Sequence, residues 1–472
     1  MKKISFWLSF VVFVVSCSSP AKKETETNSV PVTAVPKDST LSRSVLIPKI
    51  NCKADPAVNY ALYLPSSYSV NKPFPVVFFF DSHGSGTFPL EKYKQLAEKY
   101  GYIFAGSNNS KNGMSWDQNH PQIKIFIEDV KQRLNIDDKR IYACGFSGGS
   151  RVASSVAIFD GGITGVIGMG AGFPSLNESI RNRFDYIAFA GNEDFNMGEL
   201  LSLNASMDQS PIRHQLIIFN GKHEWAPEEI AEDAFIWCEL NAMKDGLVPA
   251  NDSLIKNFIV KNEEVLMELK HNKKYYSEYL LYKKVINCLD GLADVSQWKE
   301  KLEISAKSDE LKKELALKEK VAKEEMEKQK TYRENFALKN LAWWTKEITV
   351  LKAQSKNKND PERAVMKKRL LSYLSLVAYM DASSALASDQ LELTEVFLHI
   401  YEMVDPENCE HQYLFADVYS RKKDNAKALI YLENSVKLGF NDITRLEADS
   451  SFSFLKSNPG FQKLLAQLQV KQ

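Results

Sequence analysis

The sequence carries no excess of either charge. Its 472 residues include 60 Lys plus Arg against 60 Asp plus Glu, a formal net charge of zero. A neutral chain has no global field to gather a polynucleotide, which excludes nucleic acid as an expected partner. Cysteine is scarce and scattered, six in all and with no C-x-x-C. That excludes a zinc framework or disulfide scaffold, and no metal or other cofactor is expected. Long apolar runs are missing apart from one at the extreme N-terminus, so the remainder is expected to be soluble. Glycine thins out in the second half, where only three of the 21 lie beyond Asn251. What is present is ordinary. Hydrophobic residues at 44% and charged residues at 25% exclude wholesale disorder. At roughly 150 residues per domain, the length suggests about three folded units.

Lys2 and Lys3 precede an apolar stretch from Ile4 to Val15, which has the length of a signal-peptide core and is short for a membrane span. It ends in Val14-Val15-Ser16-Cys17, which resembles the bacterial lipoprotein cleavage box and implies lipidation of Cys17. Residues 18–43 are rich in Ser, Thr, Pro, Lys and Glu and cannot bury enough surface to offset their ordering entropy. They read as a tether. Ser18, in place of an acidic residue after the cysteine, implies by analogy an outer-membrane protein facing the periplasm. The expectation is a bacterial cell-envelope protein that touches the membrane only through its lipid. Cys52, Cys144, Cys238, Cys288 and Cys409 remain, an odd set that names no pair.

Residues 44–245 alternate short apolar runs with amphipathic stretches. Val76 to Phe80 is continuously apolar, as a strand buried on both faces of a parallel sheet must be. Further strands are expected at Tyr102–Ala105, Ile141–Cys144, Val166–Met169, Tyr186–Ala190 and Gln215–Phe219, with helices at Leu90–Lys99, Ile123–Leu134 and Ser150–Phe159. This alternation predicts a doubly wound, mostly parallel α/β sheet, with function at the carboxyl ends of its strands.

Gly145-Phe146-Ser147-Gly148-Gly149 falls at one such end, as G-x-S-x-G between a strand and a small-residue helix. A turn this tight leaves no room for neighbouring side chains and presents the serine at a helix N-terminus. A serine needs a base oriented by a carboxylate, in the chain order Ser, acid, His. His214 precedes its strand and lies at the wrong end, whereas His223 follows it. For the acid, Asp194 is the candidate and Glu193 the alternative, because adjacent turn residues point in different directions. The developing oxyanion needs two amide donors. Gly148 is one, and the loop Asp81-Ser82-His83-Gly84-Ser85-Gly86 supplies the other.

These residues, with Tyr60 to Pro65 and Gly221-Lys222-His223-Glu224-Trp225, resemble the α/β-hydrolase superfamily. Within it, the chain is similar to the branch of dienelactone hydrolases, polyhydroxybutyrate depolymerases and feruloyl or acetyl esterases. That branch commonly carries its acid in G-x-x-D and its base in G-x-H-x-W, which favours Asp194 and His223. Its H-G-x-G loop carries over onto His83, Gly84 and Gly86 and implies the Ser85 amide as second donor, with Gly84 the alternative. The match is partial, since such loops often read H-G-G-G. Asn108, in the polar loop 107–113, and Trp225 are the candidate substrate contacts. No long apolar lid separates Ser147 from His223, which argues against a true lipase.

The second half is helical. Residues 250–360 form a linker region whose segment 301–330 holds nine Lys and eight acidic residues. Acid-to-Lys pairs at i,i+4 (Glu303–Lys307, Asp309–Lys313, Glu314–Lys318, Glu319–Lys323, Glu324–Lys328) would each support a solvated helix by roughly 0.3 kcal/mol. Residues 361–472 form a tetratricopeptide-like helical domain, with the register running from about Ser372 to Phe440, where Pro406, Phe415-Ala416, Tyr419, Ala428 and Leu432 fall at its characteristic positions. Such repeats offer a surface for a protein partner. The function expected is a lipid-anchored serine hydrolase acting on a small ester or acylated glycan. The alternative is a weak or inactive hydrolase fold serving as an interaction scaffold.

Overall fold

The structure is a computed structural model that describes residues 37–174, 180 and 182–469. The chain divides into Met1–Pro36 and Lys37–Gln472. The expected signal segment, Cys17 and most of the tether lie outside the described residues. The tether's last residues do not. Lys37 Nζ donates to Lys131 O at 2.7 Å, and the Asp38 amide donates to Arg133 O at 2.8 Å.

Eight strands form one sheet: β1 Leu46–Asn51, β2 Asn59–Tyr63, β3 Phe74–Phe80, β4 Ile103–Ser107, β5 Ile136–Phe146, β6 Gly165–Met169, β7 Asp185–Gly191 and β8 His214–Phe219. Their order is β1-β2-β4-β3-β5-β6-β7-β8, with β2 antiparallel to both neighbours and the rest parallel. Helices α1 (Thr87–Tyr100), α2 (Trp116–Arg133), α3 (Gly148–Ser155), α4 (Met197–Met207) and α5 (Glu228–Lys244) cover both faces. The pleat of β3 divides the core between them. Val77 and Phe79 pack toward Leu90 and Tyr93 of α1 and Phe235 of α5, whereas Val76, Phe78 and Phe80 pack toward Phe126 of α2 and Ala153 of α3. This is the α/β architecture expected, followed by an all-helical half.

That half comprises α6 (Asp252–His271), α7 (Tyr275–Leu289), α8 (Ser296–Lys307), α9 (Asp309–Asn335), α10 (Leu341–Gln354), α11 (Pro361–Ala387), α12 (Leu391–Val404), α13 (Cys409–Arg421), α14 (Asn425–Lys437), α15 (Ile443–Ala448) and α16 (Pro459–Gln469). The stretch from Asp252 is no free linker: Ile255, Phe258, Tyr282 and Trp298 continue the core that holds Phe235. Segment 301–330 is broken at Ser308, whose hydroxyl caps α9 by accepting the Leu311 amide. Of the expected charge pairs, Glu303–Lys307 (3.8 Å) and Glu319–Lys323 (2.7 Å) form. Lys318 reaches Glu362, Glu324 takes Arg363 and Lys328 reaches Glu347 instead, because α9 packs on α10 and α11 with Val321 and Tyr332 buried. Helix α11 contains an 18-residue window of mean hydropathy 1.3, long and apolar enough for a membrane on composition alone. It is the one such helix among the described residues. Here Leu370, Leu374, Val377 and Ala382 are buried against neighbouring helices. Helices α13 and α14 form a hairpin in which Ala416 and Ala428 are fully buried and Tyr419 stacks on Tyr431. The five cysteines among the described residues are free thiols.

Candidate functional site

Strand β5 stops at Phe146 because the next residues cannot remain extended. Ser147 is held at φ 54° and ψ −120°, a conformation that an L-residue adopts only under constraint from its surroundings. The constraint is close packing at two glycines. A Cβ on Gly145 would lie 2.1 Å from Gly149 O, and one on Gly149 would lie 1.9 Å from Phe80 O. The Ser147 amide donates to Met169 O at 2.8 Å, which fixes the elbow to β6. The Gly148 amide opens α3 and has no acceptor in the chain among the described residues.

Two loops at the same end of the sheet meet this serine. After β7, the Asn192 amide donates to Phe219 O at 2.8 Å and the Glu193 amide to Gly221 O at 2.9 Å, so the loops after β7 and β8 are stitched together. His223 Nε2 lies 2.9 Å from Ser147 Oγ, and His223 Nδ1 lies 3.0 Å from each carboxylate oxygen of Asp194. Asp194 is 0% exposed, and its Oδ1 also accepts the Asn196 amide at 2.8 Å. Of the two carboxylates left open by the sequence, Asp194 faces the imidazole. Glu193 turns away and pairs with Lys368 of α11 at 2.6 Å. The imidazole lies against the rings of Phe146 (4.7 Å between centroids) and Phe195 (4.3 Å). These flanking aromatics were missed in the sequence, although one is the variable residue of G-x-S-x-G and the other adjoins Asp194.

The loop after β3 is organised by Asp81. Its buried carboxylate accepts the His83 amide at 2.8 Å, the Ser85 amide at 3.4 Å and the Trp225 indole N–H at 3.2 Å. Burial alone would raise the Asp81 carboxyl, but the bonds from His83 and Trp225 hold it below the ordinary carboxylate range. The His83 imidazole is drawn to the same carboxylate through Nδ1, 3.5 Å from Oδ1, and that contact raises it above its usual value. His83 is exposed, and Glu410 and Arg445, an ion pair of the helical half, lie within electrostatic reach of it. The Ser85 amide is thus not free, and an oxyanion would have to compete with Asp81 for it. The Gly84 amide is likewise drawn to Asp81 O, at 3.2 Å.

The two expected substrate contacts sit in the framework. Asn108 donates to Pro48 O and Asn59 Oδ1 and accepts the Gly86 amide, so its side chain ties β1 and β2 to the loop after β3. Trp225 is only 6% exposed and packs edge-on to Tyr93 and against Phe146. From the polar loop it is Asn112 that reaches the elbow. Its Oδ1 occupies the space where a Gly148 Cβ would stand, and its amide donates to Ser82 O at 2.8 Å. Among the described residues no three His, Cys, Asp or Glu side chains converge as metal ligands would.

No family model and no curated protein matches the chain. Solved structures do resemble it. An S-formylglutathione hydrolase from Staphylococcus aureus matches 42% of this chain and 98% of its own at 14% identity, with a TM-score of 0.35. A hyperthermophilic esterase from Pyrobaculum calidifontis matches 43% and 85% at 12% identity, TM-score 0.34. A mutant of the feruloyl esterase module from Clostridium thermocellum, complexed with sinapinate, matches 43% and 90% at 12% identity, TM-score 0.34. Likeness this distant leaves function to be argued from the site itself.

Proposed function

We propose that the chain is a serine hydrolase of carboxylic esters that works through an acyl-enzyme. The observation that carries this reading is the hydrogen-bonded series Ser147 Oγ, His223, Asp194, set on a strained elbow beside a helix amide with no acceptor among the described residues. His223 Nε2 takes the Ser147 proton as Oγ attacks the ester carbonyl, and Asp194 holds the imidazole with Nδ1 protonated. The Gly148 amide donates to the developing oxyanion. Collapse of the tetrahedral adduct breaks the bond to the alcohol, which leaves with the proton from His223. Water then gives a proton to the same nitrogen and attacks the acyl carbon, releasing the acid and restoring Ser147.

The substrate class we propose is a small ester or an acylated glycan. The Val14-Val15-Ser16-Cys17 sequence supports attachment to the bacterial envelope through a lipid on Cys17, at the outer membrane facing the periplasm. The register within residues 361–472 supports a tetratricopeptide-like surface for a protein partner. One observation favours the second reading, a catalytically weak scaffold: Asp81 already holds the Ser85 and Gly84 loop, leaving one unencumbered oxyanion donor. A fluorophosphonate probe with peptide mapping, together with p-nitrophenyl acetate turnover, separates the two. Labelling at Ser147 with turnover lost in Ser147→Ala is the expected result. Folded protein that gives no adduct at Ser147 would overturn the enzyme reading.

A further inference from the structure

The loop that carries Asp194 is gripped from both sides. On one side the His223 loop takes its amides, as described above. On the other stands α11, a helix of the other half. Arg369 is buried there, and its Nε and Nη2 engage both carboxylate oxygens of Glu325 on α9 at 2.6–3.0 Å. Its remaining nitrogen, Nη1, donates to Asn192 O at 3.0 Å, two residues before Asp194. The neighbouring Lys368 holds Glu193, one residue before it.

A buried ion pair of this kind is a poor source of stability, because withdrawing two charges from water offsets most of their attraction. Apolar residues would fill the same space as well or better. What the guanidinium supplies that a methionine cannot is direction. Its planar fork, held on both oxygens of Glu325, aims Nη1 at a single backbone oxygen, with Met197 Sδ, 3.8 Å away, the other partner of that nitrogen. We infer that Arg369 is a positioning residue for the catalytic acid: through Asn192 it sets the loop that presents Asp194 to His223, so the helical half is part of the catalytic apparatus rather than an appendage. This inference rests on the serine-hydrolase reading. It predicts that loosening the grip lowers turnover without weakening binding. Acylation and deacylation both use His223, so a misplaced acid slows both alike and leaves KM in place.

The test uses the full chain and p-nitrophenyl acetate. Replacing the whole pair, Arg369→Met with Glu325→Met, removes the bond to Asn192 O without stranding a buried charge. A displacement of about 1 Å at a reacting group can cost on the order of 100-fold. The expected result is therefore a kcat lower by 10- to 100-fold, with KM within about twofold and an unchanged far-ultraviolet spectrum. Arg369→Lys guards against a double variant that fails to fold. It keeps a cation for Glu325, but one ammonium cannot span both partners, and the same split between kcat and KM is expected. If either folded variant keeps a kcat within twofold of the parent, or loses activity through KM alone, the positioning role is refuted while the hydrolase reading stands. If the parent's turnover survives in Ser147→Ala, the hydrolase reading itself fails and takes the inference with it.

Discussion

Two adjacent carboxylates, Glu193 and Asp194, occupy one turn yet should differ in consequence by several orders of magnitude. Asp194→Asn keeps the shape of a side chain that is wholly buried, so the fold should survive with a melting temperature within a few degrees. The chemistry should not. The Asn196 amide, 2.8 Å from Oδ1, selects the asparagine oxygen for that position. The NH2 group then stands at the Oδ2 position, 3.0 Å from His223 Nδ1, where it faces another donor. Only Oδ1, also 3.0 Å from Nδ1, is left to accept the imidazole proton, and the negative charge that stabilises an imidazolium is gone. A comparable triad loses about 10⁴ in kcat for this substitution, which is about 5.4 kcal/mol of transition-state stabilisation.

Glu193→Gln removes only the pair with Lys368, whose side chain is 42% exposed. A pair that open to solvent contributes under about 1 kcal/mol, so the activity should fall by less than about fivefold. The assay is kcat/KM for p-nitrophenyl acetate on both purified variants, alongside their melting temperatures. A reversed ranking would mean that the two carboxylates exchange roles. If neither change mattered in folded protein, His223 would have no carboxylate partner in catalysis and the mechanism would be wrong.

Other consequences are more local. Gly149→Ala would press a Cβ against Phe80 O at 1.9 Å, a backbone atom that cannot step aside; a loss of about 3 kcal/mol or more is expected, which calorimetry would register as a large drop in melting temperature and an unchanged transition would contradict. Trp225→Phe keeps the ring packing but removes the N–H from Asp81, so it should cost about 1–3 kcal/mol of stability with KM within twofold; a large rise in KM would put Trp225 on the substrate after all. Buried His411 donates to Pro406 O through Nε2 and accepts the Gln412 amide at Nδ1, and burial lowers its pKa from the ordinary value. Its contribution is therefore complete above about pH 6.5 and is lost as pH falls from there through its folded pKa, because the unfolded chain then binds the proton more readily. Thermal melts between pH 7.5 and 5 should show the parent losing stability faster than His411→Gln, and parallel curves would refute the assignment.

The strands that carry the site were legible because each is a short, mainly apolar run that is largely buried. Val76–Phe80, Val166–Met169 and Gln215–Phe219 are short, apolar and bounded by turn residues, and the structure extends each by two residues or fewer. Strand β1 was passed over for the opposite reason. Leu46–Asn51 is a half-exposed edge strand whose pattern resembles a loop. The elbow was legible because its glycines answer a local steric demand, which the chain states within five residues. The Asp81 loop contained a signal that went unread: an aspartate two residues before an amide tends to capture it in an Asx turn, as Asp81 does with His83.

The contact between the two halves was illegible for a different reason, and more reading of the same kind would not have found it. Lys367-Lys368-Arg369 looks like a solvated basic run, and by composition alone that is the sound inference. Its meaning changes only when Glu325, 44 positions earlier, and Asn192, 177 positions earlier, are brought against it. Helical periodicity tells which face of α11 is apolar, but Arg369 interrupts that face, and an interruption names no partner. The same holds for α9, where charge pairs predicted along the helix were redirected across to α10 and α11. Local spacing supplies the strength of a charge pair in an isolated helix, roughly 0.3 kcal/mol, which any better-placed partner can outbid. Once the helices pack, tertiary geometry decides the pairing. That is why the sequence could locate the serine, the histidine and two adjacent acids, and favour Asp194 by resemblance, while the helix 175 positions downstream that pairs with Glu193 was illegible in it.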